Sequence, residues 1–98
     1  MKAKLLVRQR VEVRASAFAE LVIWQLHEPL AGSAHSFMYR LAYVVGGICV
    51  LRYDNEAGKG DHRHWDEQES RYRFKAPDQL MADFFEDIQR YNHEHPHD

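Results

Sequence analysis

The stretch Phe37–Asp54, FMYRLAYVVGGICVLRYD, decides the fold. Apolar and aromatic side chains recur at every second position of its first half, which is the spacing of a strand with one buried face. The predicted buried face carries Phe37, Tyr39, Leu41, Tyr43 and Val45. Gly46-Gly47 follows, and both glycines accept the positive φ values of a two-residue turn of the primed type. The stretch therefore predicts an antiparallel hairpin whose returning strand is Ile48–Asp54.

Two further strands are predicted on the N-terminal side of this hairpin. In the first, charged side chains alternate with apolar ones, and the predicted core face carries Leu5, Val7, Val11 and Val13. Phe18–Leu26 has apolar side chains on both faces, which favours a central strand or one covered on both sides. Ala17, Ala19 and Glu20 would also permit a helix here, but the β-branched and aromatic residues favour a strand. Proline and glycine in residues 27–36 predict a loop before the hairpin.

The C-terminal part of the sequence predicts a short strand at Arg71–Phe74 and then a helix. Pro77 suits the first helical position, and Asp78 suits the first turn, where the helix dipole favours an acid. Apolar side chains then recur at helical spacing, at Leu80, Met81, Phe84, Phe85, Ile88 and Tyr91. We expect the helix to fray near Asn92. The broad apolar stripe should cover one face of the sheet.

The predicted fold class is α+β, an antiparallel four- to five-stranded meander sheet covered by one C-terminal helix. A chain of 98 residues has room for a single core. We therefore assign residues 1–92 to one α+β domain. Residues 93–98, in which three histidines alternate with other residues, are expected to form a frayed polar tail.

Charge and cysteine content limit the classes of function. The net charge of −2 argues against indiscriminate polyanion binding but leaves room for a local basic site. Cys49 is the only cysteine, which excludes an internal disulfide and suits a reducing compartment. Strand alternation predicts that Cys49 faces away from Arg52 as a buried thiol. Arg8 and Arg10 interrupt the first apolar run too early for a signal peptide, and no run is long enough to span a membrane. We expect a soluble cytoplasmic protein without membrane contact.

The densest chemistry lies between Tyr53 and His64, in the sequence YDNEAGKGDHRH. His62 and His64 are two residues apart, so an extended backbone would point both imidazoles to one face and Arg63 to the other. Such a pair could act as acid and base, because histidine titrates near neutral pH. The pair could also bind a metal ion together with a carboxylate. The candidate carboxylates are Asp54, Asp61 and Asp66. A third interpretation is an exposed loop that simply contains histidines.

Gly58-Lys59-Gly60 adds a candidate phosphate-binding segment to the histidines. Flexible backbone beside a lysine can bring N–H groups and a cation to a phosphate. The segment lacks the spacing of a Walker loop, and a lone Gly-x-Gly also fits a plain connection between strands. Arg52, at the end of the hairpin, would add a fixed positive charge beside this loop.

These residues together suggest a metal-independent ribonuclease. One histidine would take the proton from a ribose 2′-hydroxyl, and the other would protonate the leaving 5′-oxygen. Arginine and lysine would neutralise the charge that develops on the phosphate. The candidate catalytic residues are Arg52, Asp54, Lys59, His62 and His64, with no metal ion and no cofactor. The sequence does not decide which histidine is the base.

Residues 52–64, RYDNEAGKGDHRH, resemble the TumE-type toxins of bacterial type II toxin–antitoxin systems. The similarity extends to the strands at Val22–Leu26 and Tyr39–Leu41 and to the segment from Phe74 to Phe85. Its most specific part runs from Asp54-Asn55 to His62-x-His64. The resemblance implies a helix-turn-helix antitoxin, encoded nearby, which neutralises the toxin and binds its own operator. RNA would be the second partner, and the sequence is compatible with a homodimer.

Two other functions fit the same residues. The chain could be a non-catalytic interaction protein that binds a partner through its sheet edge or sheet face, with a purely structural GKGDHRH loop. It could also transfer a nucleotide, but the sequence has no paired aspartates beside a Gly-Ser turn, and this hypothesis ranks last.

Overall fold

The computed structural model describes residues 3–56, 58 and 60–96. These residues form one six-stranded antiparallel sheet, in which the strands follow one another in chain order, and a C-terminal helix. The elements are β1 (Ala3–Arg14), β2 (Ala17–Leu26), β3 (Phe37–Val45), β4 (Ile48–Asp54), β5 (His62–Trp65), β6 (Gln68–Arg71) and α1 (Pro77–Glu94). The predicted α+β meander is thus confirmed, with more strands than expected.

The β3–β4 hairpin has the predicted turn. Gly46 and Gly47 have φ values of 57° and 83°, both in the region that favours glycine. The register then brings Leu41 opposite Tyr53 and Ala42 opposite Arg52. This register matters for function, because it fixes which side chains of β4 share a face with those of the neighbouring strands.

Helix α1 covers one face of the sheet and encloses the core with it. Fully buried leucines from three adjacent strands, Leu21, Leu41 and Leu51, belong to the same cluster as Leu80 and Phe84 of the helix. Burial of these apolar side chains between the sheet and α1 supplies the main driving force for folding. Only one helix occurs in the part of the chain that the structure describes, so the opposite face of the sheet has no helical cover.

The helix begins at Pro77 as predicted and ends at Glu94, beyond the expected fraying point at Asn92. Strand β1 holds this end, because Arg14 donates hydrogen bonds of 2.6 Å to the carbonyl oxygens of Asn92 and His95. Tyr43 adds a hydrogen bond of 2.7 Å from its hydroxyl to the Asn92 side chain. The two bonds from Arg14 satisfy backbone carbonyl groups that a helix end would otherwise leave unpaired.

A β-bulge in β4 reverses one prediction from alternation. The pairing shifts between Tyr43–Leu51 and Val44–Cys49, so that Val50 is an extra residue. Val50 and Leu51 are consequently both buried, and Cys49 lies on the same face as Arg52. The prediction of a buried thiol facing away from Arg52 was therefore wrong, and Cys49 is exposed.

A second bulge, in β1, has the same effect on Leu5. Leu5 pairs with Trp24, whereas Val7 pairs with Ile23, so the two side chains face opposite sides of the sheet. Leu5 is 41% exposed rather than part of the core face. In both strands, one inserted residue changes which side chains meet water.

A third correction concerns the last strand. The predicted strand at Arg71–Phe74 is wrong, since β6 is Gln68–Arg71 and pairs with β5 through a tight turn. Asp66 in this turn has a positive φ of 53°, and its N–H donates a 2.7 Å hydrogen bond to the Val50 carbonyl. Phe74 instead stacks on His35, with ring centroids 3.9 Å apart.

No helix among the described residues is long and apolar enough to cross a membrane.

Candidate functional site

Four of the predicted site residues meet on the face of the sheet that α1 does not cover. Arg52 and Asp54 lie on β4, and His62 and His64 lie on β5. The register pairs Arg52 with His64 and Asp54 with His62, directly across the two strands. The extended backbone predicted for the histidines is confirmed, and their ring centroids are 5.2 Å apart. Paired antiparallel strands thus bring into contact residues that are eight or twelve positions apart in sequence.

His62 is held at both ring nitrogens. Nδ1 lies 3.0 Å from the Gly60 carbonyl oxygen, and Nε2 lies 2.8 Å from Oδ1 of Asp54. A carbonyl oxygen only accepts, so Nδ1 carries a hydrogen. The Asp54 carboxylate also accepts, so the second contact is a hydrogen bond when Nε2 carries a hydrogen as well. With 8% of its surface exposed, His62 is an oriented hydrogen-bond donor.

His64 has the complementary arrangement. Arg52 Nη2 lies 3.1 Å from His64 Nε2, and because a guanidinium only donates, Nε2 must accept. The remaining hydrogen of the neutral ring is then on Nδ1. Burial, and next the positive charge of Arg52, lower the pKa of His64, against an opposing effect of Glu69. His64 is therefore a neutral base with an oriented lone pair.

Arg52 joins the two histidines to Asp54. Its Nε is 2.8 Å from Asp54 Oδ2, yet the buried Nε makes no hydrogen bond with any described residue. The distance is that of a close ion pair, but the N–H is not aligned with the oxygen. The guanidinium is thus attracted to Asp54 without being locked to it. With 35% of its side chain exposed, Arg52 has room to reorient toward a ligand.

Glu69 is a member of the cluster that the sequence argument missed. It lies on β6 opposite His64. Its Oε2 is 3.5 Å from Nε2 of His62 and 3.6 Å from Nε2 of His64, and half of the side chain is exposed. The sequence signal for Glu69 was the β5–β6 hairpin. This hairpin was missed because the last strand was predicted three residues too late in the chain.

Asn55 is the other residue that the sequence argument missed, and it supports the site through hydrogen bonds to β3. It is fully buried directly after β4. Its Oδ1 accepts a 3.0 Å hydrogen bond from the Tyr39 N–H, and its Nδ2 donates one of 2.7 Å to the Phe37 carbonyl. These bonds tie the chain to β3 directly after Asp54. A polar residue immediately after a strand was the available signal.

The remaining predicted residues lie apart from the cluster or outside the described part of the chain. Lys59 is outside the described residues. Gly58 and Gly60 have positive φ, and Gly60 contributes its carbonyl oxygen to His62.

Asp61 accepts hydrogen bonds from His35 and Tyr39 instead of contacting the histidine pair. Asp66 is exposed in the β5–β6 turn, so Asp54 is the one of the three candidate carboxylates that joins the cluster.

The back of β5 is fixed to the helix. Arg63 points to the core face and donates two hydrogen bonds, of 2.9 and 3.0 Å, to the Asp87 carboxylate. Tyr53 donates a third, of 2.7 Å, and burial followed by this bond raises its pKa. A bidentate arginine–carboxylate pair restricts the geometry of both partners. The strand that carries the histidines is therefore held rigidly from behind.

A groove of about 170 Å³ lies beside the cluster on the same face. Its lining residues are Glu20, Val22, Arg40, Ala42, Val44 and Cys49. Arg40 and Ala42 are the direct strand partners of Asp54 and Arg52, so the groove leads to the cluster. The imidazoles themselves are at its border and do not line it.

A comparison with protein families identifies the family of the chain. The family described as Toxin TumE matches residues 2–92, which include all six strands and the whole cluster. The chain belongs to this family. It is a member of a toxin family, and such toxins generally have an antitoxin partner. No curated protein and no solved structure matches the chain. The chemistry of this TumE-family protein must therefore be argued from its own residues.

Proposed function

We propose that this TumE-family protein is the toxin of a type II toxin–antitoxin system and that it cleaves RNA at the cluster of Arg52, Asp54, His62 and His64. The observation that carries the proposal is the hydrogen bond from Arg52 to Nε2 of His64. This bond directs the lone pair of His64 at a cation. The neighbouring imidazole, His62, faces two acceptors, the Gly60 carbonyl oxygen and the Asp54 carboxylate. One base, one donor and one cation are the groups that RNA cleavage without a metal ion requires.

The reaction is the attack of a ribose 2′-oxygen on the adjacent phosphorus. Once Arg52 turns from His64 toward the phosphate, the freed lone pair of His64 Nε2 takes the proton of the 2′-hydroxyl as the new O–P bond forms. The bond from phosphorus to the 5′-oxygen then breaks, and Nε2 of His62 returns a proton to that oxygen. Arg52 neutralises the charge of the pentacovalent phosphate, and Asp54 orients His62. The products are a 2′,3′-cyclic phosphate and a 5′-hydroxyl.

The groove beside the cluster supplies a path for the RNA strand. Arg40 is exposed and lies opposite Asp54, so it can contact a phosphate next to the one that is cleaved. Gly58, Lys59 and Gly60, which follow β4 in the sequence, remain the proposed phosphate-binding segment. A few local cations of this kind suffice for a strand of RNA, although the whole chain has a net charge of −2.

The pH dependence of cleavage in excess chelator tests the metal-independent mechanism. We expect cleavage of a single-stranded RNA to persist, because no step uses a metal ion. The base acts only when unprotonated, and the pKa of His64 is lowered, so the loss of rate caused by protonation of this base should begin below the usual histidine value of ~6.5. Initial rates between pH 4.5 and 8 and analysis of the new 3′ ends are the measurements. Loss of cleavage in chelator, or products without a cyclic phosphate, would contradict the mechanism.

The second candidate function is an interaction protein without catalysis. Strand β1 is the terminal strand of the sheet, has twelve residues, and exposes Leu5 and Leu6 by 41% and 38%. An exposed edge of this length can accept a strand from a partner. The antitoxin, proposed to be a helix-turn-helix protein, or a second copy of the chain is the partner this edge would suit.

A matched pair of substitutions distinguishes the two functions in a growth assay. If binding alone is toxic, Leu6→Lys in the edge strand should abolish growth arrest, while His64→Gln should leave it intact. If cleavage is toxic, we expect the reverse result, with arrest lost only in His64→Gln. Co-expression with the helix-turn-helix protein encoded next to the gene should relieve the arrest in either case.

A further inference from the structure

We infer that Asp54, His62 and His64, together with Glu69, form a binding site for one divalent transition-metal ion. The inference concerns metal binding itself and does not depend on the proposed ribonuclease. Three observations carry it: the convergence of the ligand atoms, the hydrogen bond behind His62, and the loosely held cation that occupies the space.

The ligand atoms already converge. One side-chain ligand atom of each of Asp54, His62 and His64 lies within 4.8 Å of the other two. Oε2 of Glu69 adds a fourth, at 3.5 and 3.6 Å from the two Nε2 atoms. Zinc binds nitrogen and oxygen ligands at ~2.0–2.2 Å, which places neighbouring ligand atoms roughly 3.0–3.5 Å apart in tetrahedral or octahedral geometry. Only small side-chain movements separate the cluster from such a site.

The hydrogen bond behind His62 is an independent sign of a metal ligand. Imidazoles that bind metals usually donate their second N–H to a carbonyl or carboxylate oxygen, which fixes the ring orientation. His62 Nδ1 makes this bond to the Gly60 carbonyl oxygen at 3.0 Å, so Nε2 is aimed at the cluster. The Gly60 carbonyl oxygen thus orients the ligand before any ion arrives.

Arg52 occupies the space that the ion would take. Its guanidinium contacts Oδ2 of Asp54 and Nε2 of His64, two of the proposed ligands. Because its Nε makes no hydrogen bond and a third of the side chain is exposed, the guanidinium can turn into the adjacent groove. A bound divalent ion would then replace the single positive charge of the guanidinium with two, which match the negative charges of the Asp54 and Glu69 carboxylates.

The donor set selects the kind of metal. Two imidazole nitrogens with one or two carboxylates suit zinc, cobalt, nickel or ferrous iron. Magnesium and calcium prefer all-oxygen sites and should bind weakly. We therefore expect selectivity for Zn²⁺ and Co²⁺ over Mg²⁺.

Direct titration of the full chain tests the site. Zn²⁺ is measured by competition with a chromophoric chelator, and Co²⁺ by its visible absorption, which reports the number and type of ligands. One equivalent should bind at the cluster. His64→Gln is the key variant, because His64 is less buried than His62, and circular dichroism verifies its fold. We expect its affinity to fall by more than ~100-fold, since even outer-shell partners often contribute ~10–100-fold.

Two controls separate this site from adventitious binding. The tail variant His93→Gln/His97→Gln should keep the equivalent at the cluster, as should His27→Gln in an exposed loop. Arg52→Gln should raise the Zn²⁺ affinity by ~10-fold or more, because it removes the competing charge. A surface histidine that binds zinc by chance would not respond to Arg52. Unchanged affinity in both His64→Gln and Asp54→Asn, or loss only in the tail variant, would overturn the inference.

Metal binding and RNA cleavage give distinguishable results. A bound ion takes the Nε2 lone pair that the base needs, so Zn²⁺ should inhibit cleavage in the proposed metal-free reaction. Binding of Zn²⁺ by a chain that never cleaves RNA supports the metal site and overturns the ribonuclease. Cleavage in chelator by a chain that binds no Zn²⁺ supports the ribonuclease and overturns the metal site.

Discussion

Replacing His64 with alanine is expected to lower the rate of RNA cleavage by ~100-fold or more, the usual contribution of a general base. Growth arrest on expression should disappear with it. The fold should remain intact, because the side chain lies at the surface of the cluster and is outside the apolar core. A gel-based cleavage assay at pH 7 and a thermal melt of the purified variant are the measurements.

The matched control is His27→Ala, which removes an exposed histidine from the loop before β3. It should cleave RNA at the rate of the unchanged chain. His62→Ala is a less clear test, since it also leaves the buried Asp54 with Arg52 as its remaining charged partner. Undiminished cleavage by His64→Ala would show that the base is elsewhere and would remove the central step of the mechanism.

Replacing Asn55 with aspartate should lower the free energy of unfolding by about 2–4 kcal/mol. The change is nearly isosteric, but it replaces the amide that donates to the Phe37 carbonyl with an oxygen that repels it. It also introduces an acid at a position with no exposed surface. Urea denaturation at pH 7, followed by circular dichroism, measures the difference.

Asn92→Asp is the matched control for this prediction. Asn92 uses its Oδ1 to accept the hydrogen bond from Tyr43, and an aspartate keeps that acceptor. The cost should stay below about 1 kcal/mol, mainly from a negative charge near a helix C-terminus. If the two variants lose the same stability, the buried hydrogen bonds of Asn55 to β3 do not contribute the stability expected of them.

The local rules of strand and turn predicted most of the fold. Alternation in β3 and the glycine pair gave the central hairpin, and the apolar stripe after Pro77 gave the helix. The His62-x-His64 spacing correctly predicted that the two rings share a face, because this follows from extended backbone alone. The ends of elements were less accurate, since tertiary contacts such as those of Arg14 decide where a helix ends.

The parts that sequence did not reveal depend on pairing between strands. Bulges at Leu6 and Val50 reverse the alternation, and nothing local in either strand marks them. Glu69 joins the site only because β6 folds back on β5 through the turn at Asp66. Asn55 serves two groups on β3 that are far away in the chain. Each of these is a long-range relation, which a pattern within one segment does not contain.

The extra residue in β4 leaves a practical opportunity for solution studies. Because it turns the sole thiol of the chain, Cys49, toward the groove that borders the histidines, a fluorophore attached to that sulfur would sit next to the proposed RNA path. Changes in its emission would then follow the arrival of RNA in real time, with no engineered attachment point.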